Sequence, residues 1–317
     1  MNGLKTIRLL LAAGIVSSVA CIAQAPAPQR TPPASTQQTP QPEFIRQGQQ
    51  LAREGKLNEA LALYRQHLEI PTDAFAANLA AGSILDLLDK GAEARKNFEK
   101  AVEIAPTPQN RASAQRAMAI SFAFEGDCKK SIEFEQKAFD YYKSLNDFFQ
   151  QGEIANEGAR LCIDSGDLDT AYKWYQTGHE VGLREPDIKP DRVDLWNFRW
   201  EHALARIAAR RGQKDEAQRH VAAAKAVLAK GTNPNQAIFF PYLEGYVAFY
   251  GGDYKTALQA FQKSNQNDAF IQCMIGETYE KLGDNQKAVE YYKKASATTG
   301  HNPPAAYAIR FTRMKLK

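Results

Sequence analysis

The sequence predicts an all-α chain, a solenoid of stacked helix–turn–helix units ended by a C-terminal capping helix. Three observations carry that expectation. A helical stretch, a glycine-centred turn and a second helix recur seven times between about residues 43 and 298. Small residues fall at matching places in both helices of each copy, with large aromatic residues set to fill the gap between them. The composition, 44% hydrophobic and 24% charged over 317 residues, is that of a chain able to bury a sizeable core.

Two segments precede the repeats. Residues 1–25 read as a leader: Lys5 and Arg8 give a cationic start, Leu9 to Ala20 an apolar run, and Ala23-Gln24-Ala25 a small-x-small end. The run is shorter than the ~20 residues a membrane span needs. The leader resembles a bacterial secretory signal peptide cut after Ala25. Cys21 opens a second reading, a lipoprotein whose lipidated cysteine becomes the new N-terminus, although Ser18 stands where that signal expects an aliphatic residue. Both readings export the chain, to the periplasm or beyond, or to a lipid anchor at the outer membrane. Residues 26–42, PAPQRTPPASTQQTPQP, carry no large apolar side chain. They read as a disordered, Pro/Gln-rich spacer, because they cannot bury enough surface to offset their ordering entropy.

The repeats then cover 43–298. Their second helices start at Gly55 (GKLNEALALYRQHL), Gly91, Gly126, Gly166, Gly212, Gly252 and Gly283 (GDNQKAVEYYKKAS). The first helices carry Gly48, Gly82, Ala119, Ala159, Ala205, Gly245 and Gly276 at one register position. The second helices carry Ala60, Ala94, Ser131, Ala171, Ala217, Ala257 and Ala288 at another. Tyr64, Phe98, Tyr175, Phe261 and Tyr292 are the large partners. Small residues facing large ones at helical spacing set the interhelical distance. These segments resemble tetratricopeptide repeats, helix–turn–helix units of about 34 residues. The resemblance implies a right-handed superhelix whose first helices line a concave face. His67 at a small position and Glu135 at an aromatic one depart from the pattern, and spacings after the first pair range from 31 to 46 residues.

Two decorations complete the chain. Glu185 to Asp194 (EPDIKPDRVD) is expected to be an irregular insertion, being rich in charge and proline. After Asn302, residues 303–317 form the capping helix, with Pro at its start and Lys/Arg at its end.

Catalytic chemistry is not legible. The glycines are turn glycines without a phosphate-loop pattern, and Leu183 stands where a zinc-peptidase helix after His179-Glu180 needs its second histidine. Glu133 and Glu135 are expected on a solvated helix face. No cofactor and no metal is predicted. A formal charge of +4, or +2 without Lys5 and Arg8, gives no electrostatic case for nucleic acid. Without the leader three cysteines remain. Either all are small buried residues, or Cys128 and Cys162, both at the turn end of adjacent repeats, form a disulfide and leave Cys273 reduced.

A partner-binding groove is expected on the first helices of repeats four to six. Asn156 and Arg160 lie on one, Arg199, His202 and Arg206 on the next, and Tyr242, Tyr246 and Phe249 on the third. Cationic donors beside an aromatic shelf suit a protein or peptide carrying acidic groups or a C-terminal carboxylate. The family's carboxylate clamp is not expected, because Ile45, Gln49 and Leu79 occupy its positions. The reading is an exported, non-catalytic protein-interaction scaffold. The alternatives are an outer-membrane-anchored lipoprotein assembly factor and an enzyme or small-ligand receptor using the same groove. No membrane span is expected once the leader is removed.

Overall fold

The computed structural model describes residues 41–317. The leader, Cys21 and nearly all of the spacer lie outside them. Helices α1 (Glu43–Arg53) and α2 (Leu57–Gln66) form the first hairpin, α3 (Ala74–Leu87) and α4 (Gly91–Glu103) the second. Next come α5 (Pro108–Glu125) with α6 (Cys128–Ser144), then α7 (Phe148–Ser165) with α8 (Leu168–Gly182). The last three pairs are α9 (Pro190–Arg210) with α10 (Lys214–Ala229), α11 (Phe240–Gly251) with α12 (Tyr254–Gln262), and α13 (Ala269–Lys281) with α14 (Asn285–Ser296). A single helix, α15 (Pro303–Lys315), follows, and no strand occurs among the described residues.

The turns are built by a Gly-Asp pair. Gly126, Gly166 and Gly252 end α5, α7 and α11 with φ of 79°, 95° and 87°, a region that glycine enters without steric cost. The aspartate that follows caps the next helix. Asp127, Asp167 and Asp253 accept from the backbone N–H of Lys130, Thr170 and Thr256 at 2.9, 3.0 and 3.1 Å.

Packing between paired helices follows the small-against-large pattern. A Cβ added at Gly82 would sit 2.6 Å from the Phe98 ring, and one at Gly245 would sit 2.7 Å from Phe261. Ala60, Ala94, Ser131, Ala171, Ala217 and Ala257 are fully buried. His67, at a small position, is accommodated by stacking on Phe44 with ring centroids 3.9 Å apart, and its Nδ1 meets Asp73 at 2.7 Å.

The expected irregular insertion is shorter than the sequence suggests. Helix α9 begins at Pro190, where a missing N–H costs nothing and the fixed φ favours a helix start. Asp194 is buried and accepts from Lys230 Nζ at 2.7 Å and Thr232 Oγ1 at 2.6 Å, so its polarity is satisfied inside the helix. The wide repeat spacing comes from the 21 residues of α9 and from a 3-10 turn, Pro234–Phe239, inserted before α11.

Helix α15 does more than cover the last hairpin. It packs on α13 and α14 and also reaches α5 and α7 across the inner face. Ala305, Ala306 and Ile309 join a core with Ile84, Leu85, Phe98, Met118 and Phe124, while Ala308 packs with Cys273 and Ala295. Its basic residues do not serve its own C-terminus. Arg313 donates to the carbonyls of Asp86 and Leu87 at the end of α3, and Arg310 donates to the Asp164 carbonyl near the end of α7. Helix C-termini leave carbonyls unsatisfied and carry negative partial charge, which both arginines complement.

Cys128 and Cys162 are joined by a disulfide with their Cα atoms 4.9 Å apart, tying α6 to α7, and Cys273 is buried and free. Ala171→Leu or Ala257→Leu should cost about 1–3 kcal/mol by overpacking. Thermal unfolding followed by circular dichroism should show both midpoints lowered; unchanged midpoints would contradict the packing described. Replacing both bridged cysteines by alanine should lower stability by about 2–4 kcal/mol in urea titrations, since the bridge closes a loop of 34 residues. An unchanged urea midpoint would argue against the bridge.

Candidate binding cavity

The first helices of hairpins four to six do converge, and between them lies a cavity of about 430 Å³. Helix α7 supplies Glu153, Asn156, Glu157 and Arg160, spaced so that all four fall on one helix face. Helix α9 supplies Phe198, Arg199, His202 and Arg206 in the same way, and α11 supplies Tyr242. Gln236, Ile238 and Phe239 of the 3-10 turn form one lip, and Pro303 and Pro304 at the start of α15 form part of the wall. Ile238 and Phe239 are 58% and 48% exposed, an apolar rim over a polar floor.

The lining holds three arginines, Arg160, Arg199 and Arg206, and three carboxylates, Glu153, Glu157 and Asp268, but their pairing leaves Arg206 without a carboxylate. Arg160 Nε donates to Asp164 Oδ2 at 2.8 Å and lies over the Phe270 ring, 4.7 Å from its centroid. Arg199 pairs with Glu153, and Glu157 accepts both Arg116 Nε and Nη2, at 2.9 and 2.7 Å. Arg206, 4% exposed, has no carboxylate within ion-pair distance among the described residues. Its guanidinium donates instead to the hydroxyls of Tyr175 (2.7 Å) and Tyr242 (3.3 Å) and to the His202 carbonyl (3.4 Å). His202 Nε2 is buried with no hydrogen-bond partner. Burial first, then the Arg206 and Arg160 charges, hold its imidazole well below the usual range, against an opposing contact from the Phe239 backbone.

Of the eight groove residues expected from the sequence, six line this cavity and two do not. Tyr246 is fully buried, stacks on Phe270 and packs at a tilt against Tyr250, and Phe249 packs against Tyr250 and Tyr254. The expectation failed there because α11 is buried on most of its circumference, which one-sided helical spacing does not reveal. Asp164, Tyr175 and the Ile238–Phe239 lip were missed. Asp164 was findable as the fourth residue after Arg160. The repeat pattern gives Tyr175 only a packing role, yet its hydroxyl accepts from Arg206 on α9.

Glu135 also corrects the sequence reading. It is not on a solvated face but fully buried, and neither carboxyl oxygen has a hydrogen-bond partner. It occupies the place an aromatic residue takes in five of the other six hairpins, Val221 standing there in the fifth, and Gly158 on α7 leaves room for its stem. Burial raises its pKa well above the ordinary 4.5, with Glu157 adding to the effect and Arg116 opposing it.

Comparison with known proteins finds likenesses over parts of the chain. Residues 75–108 and 271–297 match the tetratricopeptide repeat. The chain is 28% identical to the photosystem I assembly protein Ycf3 of Synechococcus sp. (strain CC9902) over 109 residues, 34% of this chain and 63% of that protein. The same protein of Parasynechococcus marenigrum (strain WH8102) is 24% identical over the same lengths. The chain thus spans less than two thirds of these relatives. Among solved structures, the apo form of RapI superposes with a TM-score of 0.51 at 13% identity, covering 80% of this chain and 94% of that one. A Rap protein complexed with Competence and Sporulation Factor gives 0.50 at 13% identity, covering 80% and 72%. These likenesses establish the fold: a tetratricopeptide-type helical solenoid.

Stability should fall as pH rises through the neutral range. Glu135, raised well above 4.5, and Glu277, pushed up to about 7 chiefly by burial, hold protons in the fold that the unfolded chain releases. Their contribution is complete below about pH 4.5 and is lost as pH climbs through the raised values. Glu135→Gln should therefore be more stable than the parent by about 1–3 kcal/mol near pH 8, with the gain shrinking towards pH 4.5. Urea unfolding at both pH values checks this; a gain of equal size at both would mean that Glu135 does not titrate abnormally.

Proposed function

We propose that this protein is an exported, non-catalytic interaction scaffold that seats a partner's carboxylate-bearing segment in the cavity between α7, α9 and α11. The observation that carries the reading is Arg206, a guanidinium removed from water with tyrosine hydroxyls and one carbonyl for company and no carboxylate. A buried charge without a counter-charge is costly, and an arriving carboxylate relieves that cost. The apolar lip of Ile238 and Phe239 fits the side chain next to that carboxylate, so an acidic or C-terminal peptide matches both halves of the cavity. The Rap protein complexed with Competence and Sporulation Factor lends the reading an analogue of the same fold with a bound partner. Nothing in the lining pairs an evident acid with a base at a reacting position, which supports binding over catalysis.

Export rests on the leader pattern at residues 1–25, and the Cys128–Cys162 bridge suits an oxidising compartment. Cys21 favours a second reading, a lipid-anchored assembly factor at the outer membrane. Intact mass of the protein extracted from envelopes separates a chain starting at Pro26 from an acylated one starting at Cys21.

The binding surface is tested by two single variants. Arg160 is left unchanged in both, because it is the ion-pair partner of the buried Asp164. Arg206→Gln removes the unmatched charge while keeping a donor, and Phe239→Ser alters only the exposed lip. With a partner captured by crosslinking in the native envelope, calorimetry should show Arg206→Gln weakened at least tenfold, the loss of one charged hydrogen bond of about 1.5–3 kcal/mol. Phe239→Ser should be weakened severalfold. Parental affinity in both variants would move the binding surface to the convex face or the proline-rich spacer.

A further inference from the structure

The inner end of the cavity holds two groups whose needs coincide. Arg206 is a buried cation without a carboxylate, and His202, one helical turn before it on α9, is a buried neutral imidazole whose Nε2 has no partner. Both line the same cavity. A fully buried nitrogen left unbonded is uncommon and asks for an explanation. The His202 ring is fixed in place, with centroid distances of 5.7 Å to Phe198 and 5.3 Å to Tyr242.

We propose that His202 Nε2 and the Arg206 guanidinium form one subsite for a carboxylate carried on an apolar group, and that His202 takes up a proton from solvent as that carboxylate binds. The inference rests on the cavity reading above and deepens it. In the empty cavity, adding a proton to His202 would place a second uncompensated positive charge beside Arg206. A bound carboxylate reverses that balance. The new Nε2–H donates to one carboxylate oxygen, Arg206 faces the other, and two cations then share one anion.

The surrounding charges leave this role to the incoming group. From α7, Arg160 faces the site and is already matched by Asp164. Glu153 and Glu157 are taken by Arg199 and Arg116. From α8 and α11 the facing groups are the Tyr175 and Tyr242 hydroxyls, both engaged by Arg206. Asp268, ahead of α13, spends Oδ1 on the backbone N–H groups of Phe270 and Ile271 as the cap of that helix.

Linkage gives the readout. If binding carries one proton onto His202, affinity strengthens up to tenfold for each unit the pH falls, across the window between the free and bound pKa values of His202. The same coupling means that ligand raises the His202 pKa. The probe is N-acetyl-phenylalanine, a carboxylate on an apolar group, with N-acetyl-phenylalaninamide as its uncharged twin. Imidazole resonances of the whole folded protein are followed by NMR from about pH 8 to pH 5, with His202→Gln used only to assign the His202 signal. Millimolar N-acetyl-phenylalanine should raise the His202 pKa by at least one unit, a tenfold coupling, and the amide should leave it unmoved. Peptides with free and amidated C-termini then show whether the carboxylate is a chain end, and a free small acid alone acting would point to a metabolite. Binding of the carboxylate with no change at His202 would overturn the subsite while leaving the cavity reading intact. No response of His202 to any of these carboxylates would overturn it too, and the cavity reading is judged separately by the partner's affinity for Phe239→Ser.

Discussion

The seating of α15 on the inner face is the contact on which the rest of the described structure depends. A row of first helices alone would present an open groove along its whole length. Here the inner face of the early hairpins is filled by Ala305, Ala306 and Ile309, and His301 reaches the buried Asp86 at 2.8 Å. Arg313 and Arg310 hold the ends of α3 and α7. The open remainder is the stretch between α7, α9 and α11, where the start of α15 forms part of the wall. One helix therefore covers the apolar end of the repeat array and delimits the cavity.

That arrangement explains why the polar residues of the array gather where they do. Small side chains on the first helices are needed where a second helix crosses, so long polar side chains are confined to the face turned away from that crossing. On α7 and α9 this face carries Arg160, His202 and Arg206, which end up inside the fold rather than at an open surface. Removing them from water is eased because Asp164 accepts from Arg160, and two tyrosine hydroxyls and the His202 carbonyl accept from Arg206. The compensation is incomplete at Arg206 and His202, and also at Asp164, whose Oδ1 has no partner. Sites left short of partners in a fold that is otherwise well satisfied are where a ligand has most to contribute.

The architecture was open to reading from the chain because each unit repeats the same local rules. A Gly-Asp turn, a small residue on each helix and an aromatic residue between them are visible in sequence without any long-range information. Pairing of Cys128 with Cys162 was also within reach, since both stand at the turn end of neighbouring units. The cavity was half legible. Helical spacing put Asn156 with Arg160 and His202 with Arg206, and it placed all four on the cavity side of their helices. It could not reveal that α15 would fold back over α5 and α7, a contact spanning more than a hundred residues in the case of Arg310 and the Asp164 carbonyl. Nor could it tell that Glu135 would be buried, because a charged residue on an amphipathic helix is ordinarily solvated.

The central claim is that partners enter the cavity and do not dock on the convex second helices. A photoreactive amino acid placed at Phe239, on the exposed lip, and separately at Lys100, exposed on α4, tests it directly. Illumination in native envelopes should crosslink a partner from position 239 and none from position 100, with a free carboxylate-bearing segment competing away the product. Capture from position 100 with none from 239 would contradict the account.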